Sequence, residues 1–538
     1  EKTETYADTI FGLQRIGGFG GKADILASYE TYFGNPDFYF KEAKDYFEMT
    51  ASEIKKISNE WLSSGRYILT INPKMKTSVA ISEVDRSKGV PYPSEDSKLE
   101  FKFPKIQQSS LNNNARLVVI SRKDLPIVEM QVMFDGGYAV EKDGSLGHVN
   151  FTMSMLDEGT SKYSVFGFED LKSELGSSIS FGSSLDTTYA SLSSLKINLE
   201  PTLDLLLESL LNPTFPEEEI QRLKKIWTSN IEESLTTPAS MAGRQVGPLL
   251  FGKDHPYGKP SGAGTTNSIS NISREDIVNI HKKLTDPSKA TFILAGDIDI
   301  EEAKQLLNKK LRNWKSSSDS NNEIDLFNVK DQKKPRVFLI DKPEAIQSYI
   351  LAVQLLPPTN SPDDIVIDYM NYAIAGSFTS RLNMNLREDK SWSYGVRTRL
   401  GDAKGQRSML VTAPVQTDKT SESITEIVNE YDAYLSSSPT TEDELAKGKA
   451  SKILRLPGLF ETLGSLRAGV SNIVTYDRDL DYLNQLPSLY DQPSLEDVKE
   501  MAQKYIKPNQ WTWLIVGDLE KIEEPIRNLN LGEVEILD

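Results

Sequence analysis

Apolar positions along this chain follow two rhythms. In Pro216–Leu235, the residues Ile220, Leu223, Trp227 and Ile231 fall three to four positions apart and predict one buried stripe of a helix. In Ser191–Leu199 the pattern alternates and predicts a strand. Two longer stretches, ARLVVISRKDLPIVEMQVMFDGGY from Ala115 and PRVFLIDKPEAIQSYILAVQLLPP from Pro335, each read as two strands joined by a turn. Arg116 and Arg336 stand at equivalent places near their starts.

A second unit recurs three times: TASEIKKISNEWLSSGRYILTINP from Thr50, ISREDIVNIHKKLTDPSKATFILAGD from Ile272, and PSLEDVKEMAQKYIKPNQWTWLIVGD from Pro493. Each opens with a Ser or Thr cap and an acid in the first turn, continues as a short amphipathic helix, and closes on an apolar strand. Ile54, Ile277 and Val498 are equivalent positions in the three copies. Both units recur at an interval of roughly 220 residues, which is the length of a domain rather than of a small repeat. The mixture of helix and strand within each interval makes that domain one of α+β class. From Arg116 to Phe292, and from Arg336 to Trp513, the distance between start and closing strand is nearly the same. The first ending closes near Ile68, so a domain of equal size would start about 110 residues before Glu1. The expectation is that the natural polypeptide continues upstream, or that another chain supplies the missing half. Between the copies, 74–114 and the stretch 316–334 with its SSSDSNNEID tract are polar, weakly periodic connectors.

Charge and composition narrow the chemistry. Across 538 residues, 61 basic against 78 acidic side chains give a net charge of -17, which repels phosphate backbones and argues against nucleic acid as a partner. No apolar run is long enough to predict a transmembrane segment. There is no cysteine, which removes thiolate nucleophiles and Cys-ligated zinc, and there are three histidines: His148, His255 and His281. The opening EKTETYADTI lacks the basic and apolar regions of a signal peptide, so the chain reads as cytosolic or already trimmed, and the repeats favour trimming.

His148 stands in GSLGHVNFTMSMLDEGT, where Leu146, Val149, Met153 and Leu156 predict a helix with one buried face. Zinc on a helix needs ligands at i and i+3 or i+4, as in H-x-x-E-H, where the glutamate activates water. After His148 those turns offer Val149, Phe151 and Thr152, none of them a ligand, so His148 is expected to face solvent or cap the helix. His255 in HPYGKPSGAG reads as structural, and His281, on the expected helix Arg274–Leu284, as a surface residue. The glycines of RIGGFGGKAD from Arg15 have neither a preceding strand nor the G-x-x-x-x-G-K-[ST] spacing, and predict a tight loop between helices.

On these motifs the chain resembles the pitrilysin/insulinase group of zinc endopeptidases, which includes the mitochondrial processing peptidase. Gly159-Thr160 matches the pair that follows the family's zinc helix; counted back from it, the family's His, Glu and His fall on Asn150, Met153 and Ser154. The further glutamate ligand falls near Ser229 or Asn230, with Glu232 and Glu233 out of register. GSFTSRLNMNLREDKSWSYGV, from Gly376, is similar to a family signature containing S-R-L-x-x-x-L-R-E-x-x-x-x-x-Y. Here Phe378, Leu382 and Leu386 predict a helix ending at Arg387, and Trp392, Tyr394 and Val396 a strand opened by Tyr394.

The resemblance implies that Arg387 and Tyr394 are the catalytic pair, binding the substrate carbonyl and stabilising the oxyanion across a closed chamber. A guanidinium is permanently charged and a phenol adds one donor, which suits that task. It implies repeated domains of about 220 residues, each a sheet covered by helices, with two halves forming a clamshell. Residues 1–73 would be the later part of a C-terminal-type domain, 74–114 a linker, 115–315 an N-terminal-type domain without zinc ligands, 316–334 a linker, and 335–538 a C-terminal-type domain. Zinc would belong to the full assembly and not to this chain, held by an H-x-x-E-H on an upstream half or a partner subunit, with peptides as substrates. By analogy with bacterial relatives the compartment would be periplasmic or otherwise extracytoplasmic. Two readings stand: the non-zinc portion of a bipartite zinc endopeptidase, inactive alone, or a non-catalytic scaffold or peptide-binding subunit.

Overall fold

A computed structural model describes residues 1–63, 65–70, 101–316, 324–330 and 332–537. They fall into two compact units, one essentially the first hundred residues and the other Phe101 onward. Most of the 74–114 connector and part of the 316–334 connector lie outside the described residues.

The larger unit holds two domains, each built on a six-stranded sheet. The first sheet is formed by β1 (Ile106–Ser110), β2 (Arg116–Ser121), β3 (Ile127–Asp135), β4 (Ser178–Ser183), β5 (Thr187–Leu195) and β6 (Ala290–Gly296), in the order β1-β2-β6-β3-β5-β4. The second is formed by β7 (Arg336–Asp341), β8 (Gln347–Leu356), β9 (Arg397–Leu400), β10 (Arg407–Gln416), β11 (Thr512–Gly517) and β12 (Glu533–Leu537), in the order β12-β7-β11-β8-β10-β9. The two strand doublets read from the sequence are β2–β3 and β7–β8, and the apolar endings are the central strands β6 and β11. β6 runs parallel to β2 and antiparallel to β3; β11 stands in the same relation to β7 and β8.

The repeat fails only at one edge. The first domain takes its edge strand β1 from before its doublet, antiparallel to β2; the second takes β12 from its C-terminal end, parallel to β7. β1 therefore corrects the reading of 74–114 as linker throughout: Ile106–Ser110 is a sheet edge, and Phe103 ahead of it is buried.

One face of each sheet carries its own domain's helices and core. In the first domain Val128, Met130, Val132 and Phe134 of β3 pack with Phe151, Leu206, Ile220 and Ile277. The expected helices are present as Glu217–Ser234 and Arg274–Leu284. The opposite faces are covered reciprocally. Helix Pro238–Phe251 of the first domain lies on β8 and β11 of the second, placing Ala242, Val246 and Leu250 against Phe338, Leu351 and Val516. Helix Leu463–Thr475 of the second lies on β3 and β6 of the first, where Ser471 Oγ–H donates to Gln131 Oε1 at 2.6 Å and Arg467 approaches Glu129 at 3.7 Å. Burying each large apolar side chain stabilises by roughly 1.5–3 kcal/mol, so this exchange joins the domains firmly.

The smaller unit consists of helices Lys2–Gly12, Lys22–Phe33, Phe38–Glu48 and Ala51–Trp61. The glycine run bridges the first two as a loop, with Gly18 and Gly20 at φ 79° and 75°. Thr50 and Glu53 cap Ala51–Trp61 reciprocally, as Ser273 with Asp276 and Ser494 with Asp497 cap its counterparts. Those counterparts bury Ile277 and Val498 completely, whereas Ile54 is 49% exposed. The strand expected near Ile68 does not form: residues 65–70 carry no regular secondary structure, and this unit has no other described strand to pair with their backbone groups.

Candidate functional site

The stretch around His148 folds as a one-and-a-half-turn helix, His148–Met153. It opens at Gly147, held at φ 82°, where a Cβ would come within 2.5 Å of the Ala263 carbonyl oxygen. Glu141 closes that end: its two carboxylate oxygens accept the N–H groups of Gly147 at 2.9 Å and Val149 at 2.8 Å. Burial pushes the Glu141 carboxyl up to about 7 despite these bonds.

The three positions aligned with the family's zinc motif have structural duties. Asn150 bridges two segments, with Nδ2–H donating to the Gly262 carbonyl at 3.0 Å and Oδ1 accepting Ser183 N–H at 2.9 Å. Met153 is wholly buried in the first domain's core. Ser154 is the residue that ends the helix. Between this helix and Glu217–Ser234, Trp227 packs its ring edge-on against Phe151 at 5.6 Å and donates Nε1–H to the Ala263 carbonyl at 2.9 Å. Ser229, Asn230, Glu232 and Glu233 are exposed. An amide engaged on both sides, a thioether sealed in apolar packing and a helix-ending hydroxyl do not fit zinc, which takes imidazole, carboxylate or thiolate. Among the described residues no cluster of three or more His, Asp or Glu could hold a metal ion.

His148 corrects one expectation. It is buried, not solvent-facing, with Nε2 at 2.9 Å from the Ser268 carbonyl oxygen, because the helix Thr266–Asn271 folds over it from far along the chain. His281 is corrected likewise: its Nε2 lies 2.8 Å from the Leu210 carbonyl oxygen, and burial lowers its pKa below the usual imidazole value. His255 is buried, its Nδ1 accepting Tyr257 N–H at 3.0 Å and its ring stacked on Phe251 at 5.1 Å.

The second domain keeps its motif at the surface. The helix expected from Phe378 to Arg387 is a short α-helical turn, Arg381–Asn383, continued by a wider π-helical turn, Met384–Asp389. Tyr394 precedes β9 on a bend rather than opening a strand, since Ser391 at φ 56° turns the chain and only Ser393 bridges to Val415. Several motif residues fix this path. Arg381 grips Glu444 with Nε at 2.8 Å and Nη2 at 2.7 Å. Asn383 accepts Val396 N–H at 3.0 Å and donates to the Phe378 carbonyl at 2.6 Å.

The path brings Arg387 and Tyr394 together. The Arg387 guanidinium sits 4.9 Å from the Tyr394 ring centroid and 4.7 Å from that of Phe378, a cation between two aromatic faces. Among the described residues its one ion pair is with the adjacent Glu388 at 3.1 Å, a surface contact of little energetic weight. Tyr394 is 83% exposed and Phe378 58%. Phe378 was read from the sequence only as a helix position, and only its place in the same motif as Arg387 and Tyr394 could have marked it.

Comparison with known proteins places this architecture. The family model described as Insulinase (Peptidase family M16) matches residues 116–246, and that described as Peptidase M16 inactive domain matches 271–452, together more than half of the chain. The Non-peptidase homolog YmxG of Helicobacter pylori is 22% identical over 428 residues, 78% of this chain and 97% of that protein. The crystal structure of a peptidase M16 inactive domain from Pseudomonas fluorescens is similar with a TM-score of 0.71 and 21% identity, covering 77% of this chain and 98% of that one. The periplasmic protease PqqL of Escherichia coli gives a TM-score of 0.66 at 17% identity, with 81% of this chain on 51% of that protein. With two sheets of one strand order, both family models matched in sequence and the zinc positions replaced, the chain belongs to the pitrilysin/insulinase (M16) family as a member lacking the zinc motif.

Proposed function

We propose that this chain is the non-zinc portion of a bipartite zinc endopeptidase, in which Arg387 and Tyr394 bind the substrate carbonyl and stabilise its developing negative charge. One observation carries the reading: Arg387 is held between two exposed rings with its remaining N–H groups, and the Tyr394 hydroxyl, making no hydrogen bond among the described residues. A guanidinium whose donors are oriented but unused suits a ligand oxygen. The zinc would be carried by another half, upstream in the same polypeptide or on a partner subunit, and this chain alone would be inactive. Residues 1–73 are read as part of a third domain, consistent with Ile54 lying exposed where its counterparts are buried. An extracytoplasmic location fits the resemblance to a periplasmic protease, and no helix among the described residues is long and apolar enough to cross a membrane.

A scaffold or peptide-binding subunit is the second reading, favoured by the commitment of Asn150 and Met153 to packing. Steady-state kinetics on the assembly reconstituted with its zinc-bearing half separate the two. Tyr394→Phe and Arg387→Ala should each lower kcat/KM by about 10²–10³, roughly 3–4 kcal/mol, with Arg387→Lys rescuing poorly because a point charge cannot copy the planar fork. Unchanged turnover in Tyr394→Phe would leave the scaffold reading.

A further inference from the structure

A cleft of about 800 Å³ opens within the larger unit, on the side of the first domain that meets the loop at Lys404. One wall is apolar, formed by Val140, Leu185 and Leu284. The rest carries six lysines and five acids, a local excess of basic groups in a chain whose net charge is -17. Lys142, Lys253, Lys259, Lys283 and Lys289 all line it, and among the described residues none of the five side chains forms an ion pair or a hydrogen bond. Lys259 is the notable member: it is 8% exposed, so its stem is enclosed while its amine borders the cavity with no acceptor in hydrogen-bond reach.

The acids of the cleft offset part of this set. Asp135 is paired with Lys404. Glu141 accepts the Gly147 and Val149 amides, with the charge of Lys259 nearby. Asp186 accepts the Tyr257 hydroxyl at 2.6 Å and the Lys404 amide at 2.9 Å. Asp143 and Asp254 are exposed, while burial pushes the Glu141 carboxyl up to about 7 and raises that of Asp186 above its ordinary value, so the six lysines outnumber the ionised carboxylates.

We propose that this cleft binds a small multivalent anion, an oligophosphate or a polycarboxylate, with the enclosed Lys259 and the more accessible Lys283 and Lys289 as its charged contacts. The apolar wall leaves room for a carbon skeleton between the charged groups. The ligand is not recognised by a helix terminus or a glycine loop but by converging point charges, so its binding weakens as salt rises.

Isothermal titration of the full chain with inorganic tripolyphosphate, and separately with citrate, tests this. At least one should bind saturably at a single site; stronger binding of the first identifies a phosphate ligand, of the second a polycarboxylate. Lys259→Met should weaken the tighter anion by about tenfold or more, as expected for losing one charge-assisted contact, and the double change Lys283→Met/Lys289→Met by a similar factor. Lys499→Met, on a helix surface beside Glu496, should change nothing. If Lys259→Met does not fold, the Lys283→Met/Lys289→Met variant decides. The proposal is overturned if neither anion saturates at millimolar concentration, or if the folded double variant binds both as the parent chain does.

Discussion

The two domains of the larger unit share a strand order and differ in what became of their motifs. In the first, the helix aligned with the family's zinc helix is taken up by the fold: Asn150 ties a strand end to a loop, Met153 fills the core, and Glu141 caps the helix from behind. In the second, Arg381 and Asn383 do the structural work while Arg387, Tyr394 and Phe378 stay at the surface. A motif position that has lost its chemistry is recruited by packing, since an idle polar group near a core is a cost. One that packing has not recruited is a candidate for a task outside the fold.

The strongest way to break this contrast is to restore the lost chemistry. Met153→Glu places a carboxylate with no partner in a sealed apolar site, and should cost about 4 kcal/mol or more in urea unfolding. A triple variant with Asn150→His and Ser154→His added should be no better and should hold no stoichiometric zinc by metal analysis. A stable, zinc-bound triple variant would abolish the distinction between the domains.

Next in size is a pH effect at Glu141. Its folded pKa, near 7, lies above the ordinary carboxylate value of 4.5, so between those limits the folded state holds more protons than the unfolded one. The associated stability is present in full below about pH 4.5 and is lost as pH rises through 7, up to roughly 3 kcal/mol. Thermal melts from pH 5 to 8 should fall more steeply in the parent chain than in Glu141→Gln, whose absolute stability is lower because an amide cannot accept both backbone bonds.

Asn150→Ala should cost about 2 kcal/mol, by leaving Ser183 N–H and the Gly262 carbonyl without their bridge. Smallest of all, Tyr394→Phe should shift unfolding by no more than about 0.5 kcal/mol, since its ring is exposed and its hydroxyl unbonded. A larger loss, measured in the same urea titrations, would return Tyr394 to the structural class and erase the contrast from the other side.

The parts legible in the sequence were those governed by neighbours along the chain. Capped helices, the doublets β2–β3 and β7–β8, and the closing strands β6 and β11 follow local periodicity, and three capping boxes carry the repeat. β1 was hidden because Gln107, Gln108, Ser109 and Ser110 make a polar sheet edge that composition cannot tell from linker. His148 was misplaced because its cover arrives 120 residues later, through Ser268. The replacement of the zinc set was plain from spacing once the resemblance supplied the motif. The proximity of Arg387 and Tyr394 rested on resemblance, since a π-helical turn and a left-handed Ser391 leave no periodic trace. The lysine cleft draws on residues from Lys142 to Lys404, and no window of sequence would gather them.

The reciprocal exchange of helices also sets an order of events during synthesis. When the ribosome has completed β6, the first sheet still lacks the cover that Leu463–Thr475 will bring, and the Gln131–Ser471 bond must wait for a residue 340 positions further on. For that interval Met133 and its neighbours on β3 present an unfinished face, while Pro238–Phe251 offers an apolar stripe to a sheet not yet made. Contacts of such long range slow folding and prolong exposure to wrong partners. Each domain thus serves as the other's late chaperone, and a nascent chain stalled between them would be a substrate for quality control rather than a half-sized working protein.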